Sequence, residues 1–491
     1  MANTVKLKAT DGTPIEFTDE VFSQGGMKDA YWGVGKKYVV LFFRDKQDAM
    51  AKDRLETICG IYREKIFNSV GGDYWKKLFA WPEHVVEWNG KLGITVPTFQ
   101  SHFFFPSGKF KGKEKEGKWF ATAKLRNKFI EPEHKGTWLT HFHMLIQIAR
   151  AVKRLHAAGL AHSDLSYKNV LVDPSTGTAC ITDCDGLVVP GRYPPDVVGT
   201  KDFIAPEVQA TLHLKLSDPA RKLPSIQTDR HALAVMVYMY LLYRHPLRGG
   251  KVHDLDPTKD DDLAMGAKAL FVEHPTDKTN RPKVDQLDKA SLPDGDVTKI
   301  PYTVCGPYLK ELFDRAFIKG LHNPMERPTA EDWLTALVKT TDLMQPCQNP
   351  RCNHKWFVFD NTTKPKCPFC GTEYHGQLPV LNFYVSRKAG SYNPENYRLM
   401  VYDKQSLYPW HVNQFVFPNE KMTAAEKKPV GDFHFLKGRW ILVNRSVEGM
   451  RDVDAKRDIK PGEYVELLEG KKILLGRKDG DRLIIVQLVK N

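Results

Sequence analysis

Residues 162–171 read His-Ser-Asp-Leu-Ser-Tyr-Lys-Asn-Val-Leu, and residues 181–186 read Ile-Thr-Asp-Cys-Asp-Gly. These two stretches constrain the chain more than anything else in it. Asp164 precedes Asn169 by five residues, and Asp183 follows Asp164 by 19, with room between for a short β-hairpin. An amphipathic helix leads straight in. Leu139, Phe142, Leu145, Ile146, Ala149, Val152 and Leu155 share one face, and Gly159 ends the helix as a C-cap. That order of side chains is what phosphoryl transfer requires. One carboxylate orients a hydroxyl and accepts its proton, while an amide and a second carboxylate hold Mg²⁺ against the phosphates. Phosphate oxygens repel an incoming nucleophile, so metal charge and positioning supply most of the rate.

The surrounding chain sets the frame. Its 491 residues leave room for about three domains. With 42% hydrophobic and 27% charged residues it is neither disordered nor fibrous. The N-terminal residues lack the basic-then-apolar run of a secretory signal. The longest apolar run, 232–243, is too short for a bilayer and reads as a buried helix. The expectation is a cytoplasmic protein with no membrane partner. A net charge of +13 admits phosphate-rich ligands or acidic partners. No aromatic-basic interleaving accompanies it, so nucleic acid is not an expected partner.

Three regions differ in texture. Residues 1–341 alternate strand-like and helix-like patterns, residues 342–376 hold a cysteine cluster, and residues 377–491 read as short strands separated by turns. Within the first region, Tyr38–Phe43 is a β-rich run, 48–67 has helical spacing, and 85–96 is a hairpin turning at Asn89-Gly90. A small β-rich lobe, about 1–97, then precedes a larger helical lobe, 98–341. Between them, 107–128 is rich in Lys and Gly and reads as a solvated connection, with docking of an acidic partner as the alternative.

The catalytic stretch resembles the eukaryotic-like protein kinase superfamily over roughly residues 14–340. Three later stretches strengthen the resemblance: 199–207 (GTKDFIAPE), 228–233 (TDRHAL) and 323–328 (NPMERP). The resemblance implies a two-lobed kinase fold, ATP and Mg²⁺ (or Mn²⁺) as cofactors, Asp164 as catalytic base, and Asn169 and Asp183 as metal ligands. It also implies that Asp229 pins the catalytic loop and that Glu207 and Arg327 form a buried ion pair. Asp185, where this motif usually has Gly, is either a second metal ligand or a turn residue. Lys168, beside Asn169, is placed to steady the transferring phosphate, since Ser166 stands where a kinase Lys is usual. The segment 187–199 has no Ser or Thr and only Tyr193 as a modifiable hydroxyl, which argues against Ser/Thr-phosphate switching there.

The β-rich lobe departs from the pattern. An aromatic stands where the strand Lys of a kinase belongs, in Val39-Val40-Leu41-Phe42-Phe43, and the glycine loop reads 23–31 (SQGGMKDAY). Lys28 takes the place of the third glycine. This is similar to the with-no-lysine kinases, in which a glycine-loop Lys reaches the phosphates, with Gly25 and Gly26 beside them. An ammonium on a flexible stem can arrive from either direction. The acid that would orient Lys28 is expected on the 48–67 helix, with Glu64 preferred over Glu56. The alternative for the whole lobe is a dead nucleotide site.

Cys347-x4-Cys352 and Cys367-x2-Cys370 form a four-cysteine zinc pattern, and the other four cysteines are scattered. Four thiolates favour tetrahedral structural Zn²⁺ with no open position for catalysis. His354 reads as a surface neighbour, not a ligand. The last region resembles forkhead-associated β-sandwiches in strand spacing, in 440–446 (WILVNRS) and in 459–467 (IKPGEYVEL). It lacks the G-R and S-x-x-H that grip phosphothreonine in that family, so docking of partners is expected instead.

The order of kinase, zinc ribbon and sandwich is similar to the bacterial kinase of the tellurite-resistance-associated phosphorylation triad. That resemblance implies a stress-response Ser/Thr protein kinase that acts on itself or a protein substrate. Its implied partners are a von Willebrand A-type protein and a metal-dependent phosphatase. The expected fold class is α+β: kinase domain 1–341, zinc ribbon 342–376 and all-β sandwich 377–491. The rival reading is a nucleotide-binding pseudokinase scaffold that docks partners through ribbon and sandwich.

Overall fold

The computed structural model describes residues 3–68, 71–189, 191–194, 199–359, 365–388 and 391–490. The chain divides into two compact units, one of residues 1–136, 140–302 and 311–334, the other of residues 137–139, 303–310 and 335–491.

The first unit begins with a six-stranded antiparallel sheet. Its strands are β1 (Thr4–Lys8), β2 (Pro14–Gln24), β3 (Lys28–Gly33), β4 (Tyr38–Phe43), β5 (His84–Trp88) and β6 (Lys91–Pro97), in the order β1-β2-β3-β4-β6-β5. Alternating apolar positions give the sheet two dry faces. Phe17, Tyr31, Val40, Phe42 and Val86 pack on one, with Trp88 against them. Phe43, Val85, Leu92 and Ile94 pack on the other, against Leu55 of helix α1 (Ala49–Thr57). The β5–β6 hairpin turns at Asn89 (φ 50°) and Gly90 (φ 74°), the pair of positive φ values that a two-residue primed turn needs.

Asp48 caps α1 by accepting from the Ala51 N–H at 2.8 Å. The single helix expected over 48–67 is interrupted. A π-helical turn, Ile58–Tyr62, intervenes before α2 (Arg63–Phe67), and α3 (Gly72–Leu78) follows. Gly60 and the β-branched Ile58 and Ile61 in that turn are weak helix formers, so the regular ladder gives way there.

Helices dominate the rest of the unit: α4 (Ala123–Phe129), α5 (Trp138–Ala157), α6 (Pro206–Gln209), α7 (Ile226–Leu242) and α8 (Pro257–Met265). α5 ends at Gly159, whose φ of +80° is the left-handed cap its sequence calls for. α7 is apolar all round and buried from Ala232 to Leu242, which accounts for the longest apolar run. Segment 107–128 is anchored rather than simply solvated. Phe110 and Phe120 are buried, and so is Lys115, whose ammonium sits 2.8 Å from buried Asp173.

In the second unit, β9 (Met344–Pro346) pairs with β10 (Trp356–Val358), and the strands that follow form two antiparallel sheets. The first contains the long strands Gln377–Lys388, Ser391–Met400 and Leu483–Lys490. The second is built on Gly431–Leu436 paired with Arg439–Asn444. Leu381, Phe383, Leu399, Ile484 and Val486 from one sheet share a core with Phe433, Leu442 and Val465 from the other. A neighbouring cluster joins Cys352, Phe357 and Cys367 to Leu378, Val380 and Val489, so the cysteine segment and the β-rich region are packed as one body. Among the described residues, no helix is long and apolar enough to cross a membrane.

Candidate active site and cysteine cluster

The hairpin of β7 (Val170–Asp173) and β8 (Thr178–Ile181) assembles the centre of the site. Val170 pairs with Ile181, so Asn169 and Asp183 leave the hairpin at the same end, and the Thr182 N–H donates to the Asn169 carbonyl at 2.9 Å. The Asn169 amide then donates to both the backbone carbonyl and Oδ2 of Asp164, each at 2.9 Å. The Thr200 N–H donates to Asp164 Oδ1 at 2.6 Å. Asp164 is therefore gripped from both sides. With its NH₂ committed, Asn169 has its Oδ1 to offer a cation, at the same end of the hairpin as Asp183. Such hard oxygens suit Mg²⁺.

Asp229, at the start of α7, holds the loop from beneath. It accepts from the N–H of His162 at 2.7 Å, from that of Ser163 at 3.2 Å and from His156 Nε2 at 3.1 Å. His162 Nε2 donates to the Thr182 carbonyl at 2.9 Å. Ser163 (φ 67°) and Asp183 (φ 58°) are both left-handed, a conformation that costs energy in non-glycine residues and persists here because these bonds fix it. Further out, Arg327 forks onto Glu207 with two bonds of 2.8 and 2.7 Å, and also donates to the carbonyls of Gly320, Leu321 and Gln227. The Arg327 side chain is fully buried.

From the sheet lobe, Lys28 opens β3 directly after the Gly25-Gly26-Met27 turn. It pairs across the sheet with Phe43, and its ammonium lies 5.1 Å from that ring's centroid. The ammonium reaches Asp183 Oδ1 at 3.2 Å and Asp185 Oδ2 at 2.5 Å. Burial works to lower the Lys28 pKa, but the charges of Asp185 and Asp183 outweigh it and hold the ammonium above its ordinary value. Burial pushes Asp183 up, yet Lys28 and His162 bring its carboxyl below the usual range. Asp185 goes the other way: burial, with Asp183 nearby, raises it despite Lys28.

Several expected site residues lie elsewhere. Glu64 is exposed on α2 and makes no contact with Lys28, and Glu56 is exposed on α1. The reason is helical phase. The inward face of α1 carries Arg54 and Leu55, so the buried charge it offers is a cation. Asp185 is neither a plain turn residue nor exposed; it is buried against Lys28. Gly25 uses its N–H to close the turn onto the Lys28 carbonyl at 2.9 Å, and the carbonyls of Gly25 and Gly26 both accept from Arg44. Lys168 is exposed, and its ammonium forms no ion pair among the described residues. Tyr193 is buried, its hydroxyl meeting Asp53 and, at 3.1 Å, Thr57 of α1. The sequence signal for Arg54 was available, since it stands beside Leu55 and four residues before Ile58 on the apolar stripe.

In the second unit, the ligand atoms of Cys347, Cys352, Cys367 and Cys370 all lie within 4.8 Å of one another. The Sγ atoms of Cys347 and Cys370 are 3.5 Å apart, and those of Cys352 and Cys367 3.9 Å. Tetrahedral sulfur ligands at about 2.3 Å from zinc stand about 3.8 Å from each other, so the cluster fits that ion. Gly371 (φ 74°) donates to the Cys367 carbonyl at 2.9 Å, closing the turn between the second pair. His354 is buried, stacked on Phe369 at 3.9 Å, and is not the surface residue expected. These four cysteines are able to chelate a metal ion.

The protein kinase domain family matches residues 118–338. No curated protein matches the chain. Among solved structures it is similar to the kinase domain of a rhoptry antigen from Toxoplasma gondii, at 15% identity and a TM-score of 0.36, over 56% of this chain and 84% of that one. A rhoptry kinase from the same organism is similar at 13% identity and a TM-score of 0.43, over 69% of this chain and 83% of that one. With the loop, hairpin and ion pair described above lying inside the matched segment, the chain contains a protein-kinase-like domain.

Proposed function

We propose that this chain is a protein kinase that transfers the γ-phosphate of ATP to a Ser or Thr hydroxyl, on itself or on a protein substrate. The observation that carries this reading is the convergence of Lys28 on Asp183 from the opposite lobe, beside Asp164 and Asn169. Asp164, gripped by Thr200 and Asn169, orients the substrate hydroxyl and accepts its proton. Lys28 meets the phosphate oxygens as a point charge. Asn169 and Asp183 would hold Mg²⁺ or Mn²⁺, which when bound neutralises charge between the phosphates. Lys168, exposed beside Asn169, can swing onto the transferring group. The cysteine cluster, with thiolates in all four ligand positions, serves as a structural zinc site. The order of the chain's parts supports a von Willebrand A-type protein and a metal-dependent phosphatase as candidate partners in a stress-response system.

The test is transfer from labelled ATP by the full chain, carrying one zinc, with Mg²⁺ or Mn²⁺ and with phospho-amino-acid analysis of the product. Wild type should label Ser or Thr, and Lys28→Met and Asp164→Ala should each lose at least a hundredfold. Labelling that survives Asp164→Ala would remove the assigned base. Nucleotide binding without transfer in any candidate-partner mixture would replace the kinase with the pseudokinase scaffold.

A further inference from the structure

The acid that holds Lys28 comes from the wrong lobe. Four acids lie on residues 48–67, and all four are otherwise placed, Asp48 as the α1 cap that accepts from the Ala51 N–H. Asp53 is bonded to Tyr193 and lies 3.4 Å from Arg192, while Glu56 and Glu64 face solvent. The charged side chain that α1 does turn inward is Arg54, only 4% exposed and within electrostatic reach of Asp185. Asp185 itself is 6% exposed. It sits in the 3₁₀ turn Cys184–Gly186, one residue beyond buried Cys184, and contacts Lys28 at 2.5 Å, closer than Asp183 does.

We infer that Asp185 is the positioning residue for Lys28, doing from the loop after β8 what a helix glutamate does when the lysine stands on β4. This rests on the kinase reading given above. The physical case is one of charge balance. A buried carboxylate without partners is expensive, and Asp185 has the Lys28 ammonium in contact, with the buried Arg54 guanidinium within electrostatic reach. Each substitution makes sense of the others. A helix acid at position 54 would compete with Asp185 for Lys28 and repel it. A glycine at 185 would leave Lys28 with Asp183 as its one ion-pair partner among the described residues and would remove a negative charge within reach of Arg54. The arrangement also fixes where the ammonium points, because Asp185 pulls it down toward Asp183 instead of letting it range over solvent. Holding a charged group in one orientation before the substrate arrives is worth about a hundredfold in rate when a misplacement of about 1 Å is avoided.

The test uses the full zinc-loaded chain in two ways. First, without nucleotide or added Mg²⁺, the rate at which an amine-acylating reagent modifies Lys28 is followed by mass spectrometry. Asp185→Asn should speed it at least tenfold, with the exposed lysines as internal reference; Asp185→Ser serves if the first variant does not fold. An unchanged rate overturns the inference. Second, Asp185→Asn should lower kcat for phosphate transfer at least tenfold while changing the KM for ATP no more than twofold, and should add nothing in a Lys28→Met background. A further loss in that background, or a loss that excess Mg²⁺ restores, would make Asp185 a metal ligand instead. If Lys28→Met itself leaves transfer intact, the kinase role of Lys28 falls, whereas the acylation result still reports on the Lys28–Asp185 contact.

Discussion

In the helical lobe, Asp164 and His162 are fixed by partners in that lobe, while Asp183 takes Lys28 from the sheet lobe. Asp164 is held by Thr200 and Asn169, and His162 by Asp229 and Thr182. From the sheet lobe, Lys28 forms the ion pairs at the site that are seen among the described residues, while α1 presents a buried cation where an acid is expected. The match to the protein kinase domain begins at residue 118, so it covers the first of these regions and leaves out the sheet. The difference has a physical cause. On the function proposed above, a base and two metal ligands must stand within about 1 Å of their task, which only particular residue types on a particular hairpin achieve. A positive charge near phosphate can be delivered from any strand end that faces the site, provided something orients it. On that reading the sheet lobe is free to move its lysine, and the loop is not free to move its aspartates.

The largest expected effect tests that freedom. Lys28 and Phe43 are cross-strand partners, so a lysine at 43 starts from the neighbouring strand at the same level. In Lys28→Met, which should lose at least a hundredfold in transfer, the added change Phe43→Lys should restore at least tenfold, read as labelled phosphate per unit time. A double variant as inactive as Lys28→Met would show that the sheet lobe is as tightly specified as the loop.

Next in size is the ion pair that belongs to the helical lobe alone. Arg327→Ala leaves Glu207 partly buried without its fork, and the loss should be about 3–5 kcal/mol. For a lobe of this size that corresponds to a fall of about 10 °C in the first thermal transition. Lys28 acylation at 20 °C should stay as in wild type, because the pair acts on the scaffold. A variant that melts like wild type would deny the pair its structural role.

What could be read in advance follows the same division. The 162–183 stretch, the α7 run and Glu207–Arg327 depend on local order and on residue types with few alternatives, and the fold brings them together as that order implies. The four cysteines are equally legible, since thiolate spacing is itself the site. The error at Glu64 has a different origin. Whether a helix residue faces in or out depends on its phase, and the π turn at Ile58–Tyr62 shifts that phase between α1 and α2. Spacing counted along an unbroken helix could not register it. Asp185 escaped because its role is set by a lysine 157 residues away, a pairing that no local pattern encodes. Lys115 likewise looks like one more charge in a basic loop until the fold brings Asp173 to it.

The smallest effect concerns the place where the two regions are tied. Tyr193, from the segment after the Asp183 turn, is buried with its hydroxyl on Asp53 and Thr57 of α1. Arg192 lies over the same aspartate at 3.4 Å. With no Ser or Thr in 187–199 to receive a phosphate, an unmodified tyrosine makes the link to the helix. Tyr193→Phe keeps the ring and its packing and removes only the hydroxyl. Since Asp53 is largely exposed and can turn to water, the cost should be about 1 kcal/mol. That is a fall of about 2–4 °C in the same transition. The more telling readout is hydrogen exchange. Amides of α1 and of residues 187–189 should exchange faster, while those of β7 and β8 stay protected, because the hairpin is held by its own lobe. Faster exchange in both places would mean that the helical lobe also depends on the tie, and the independence of the two regions would fail at that point.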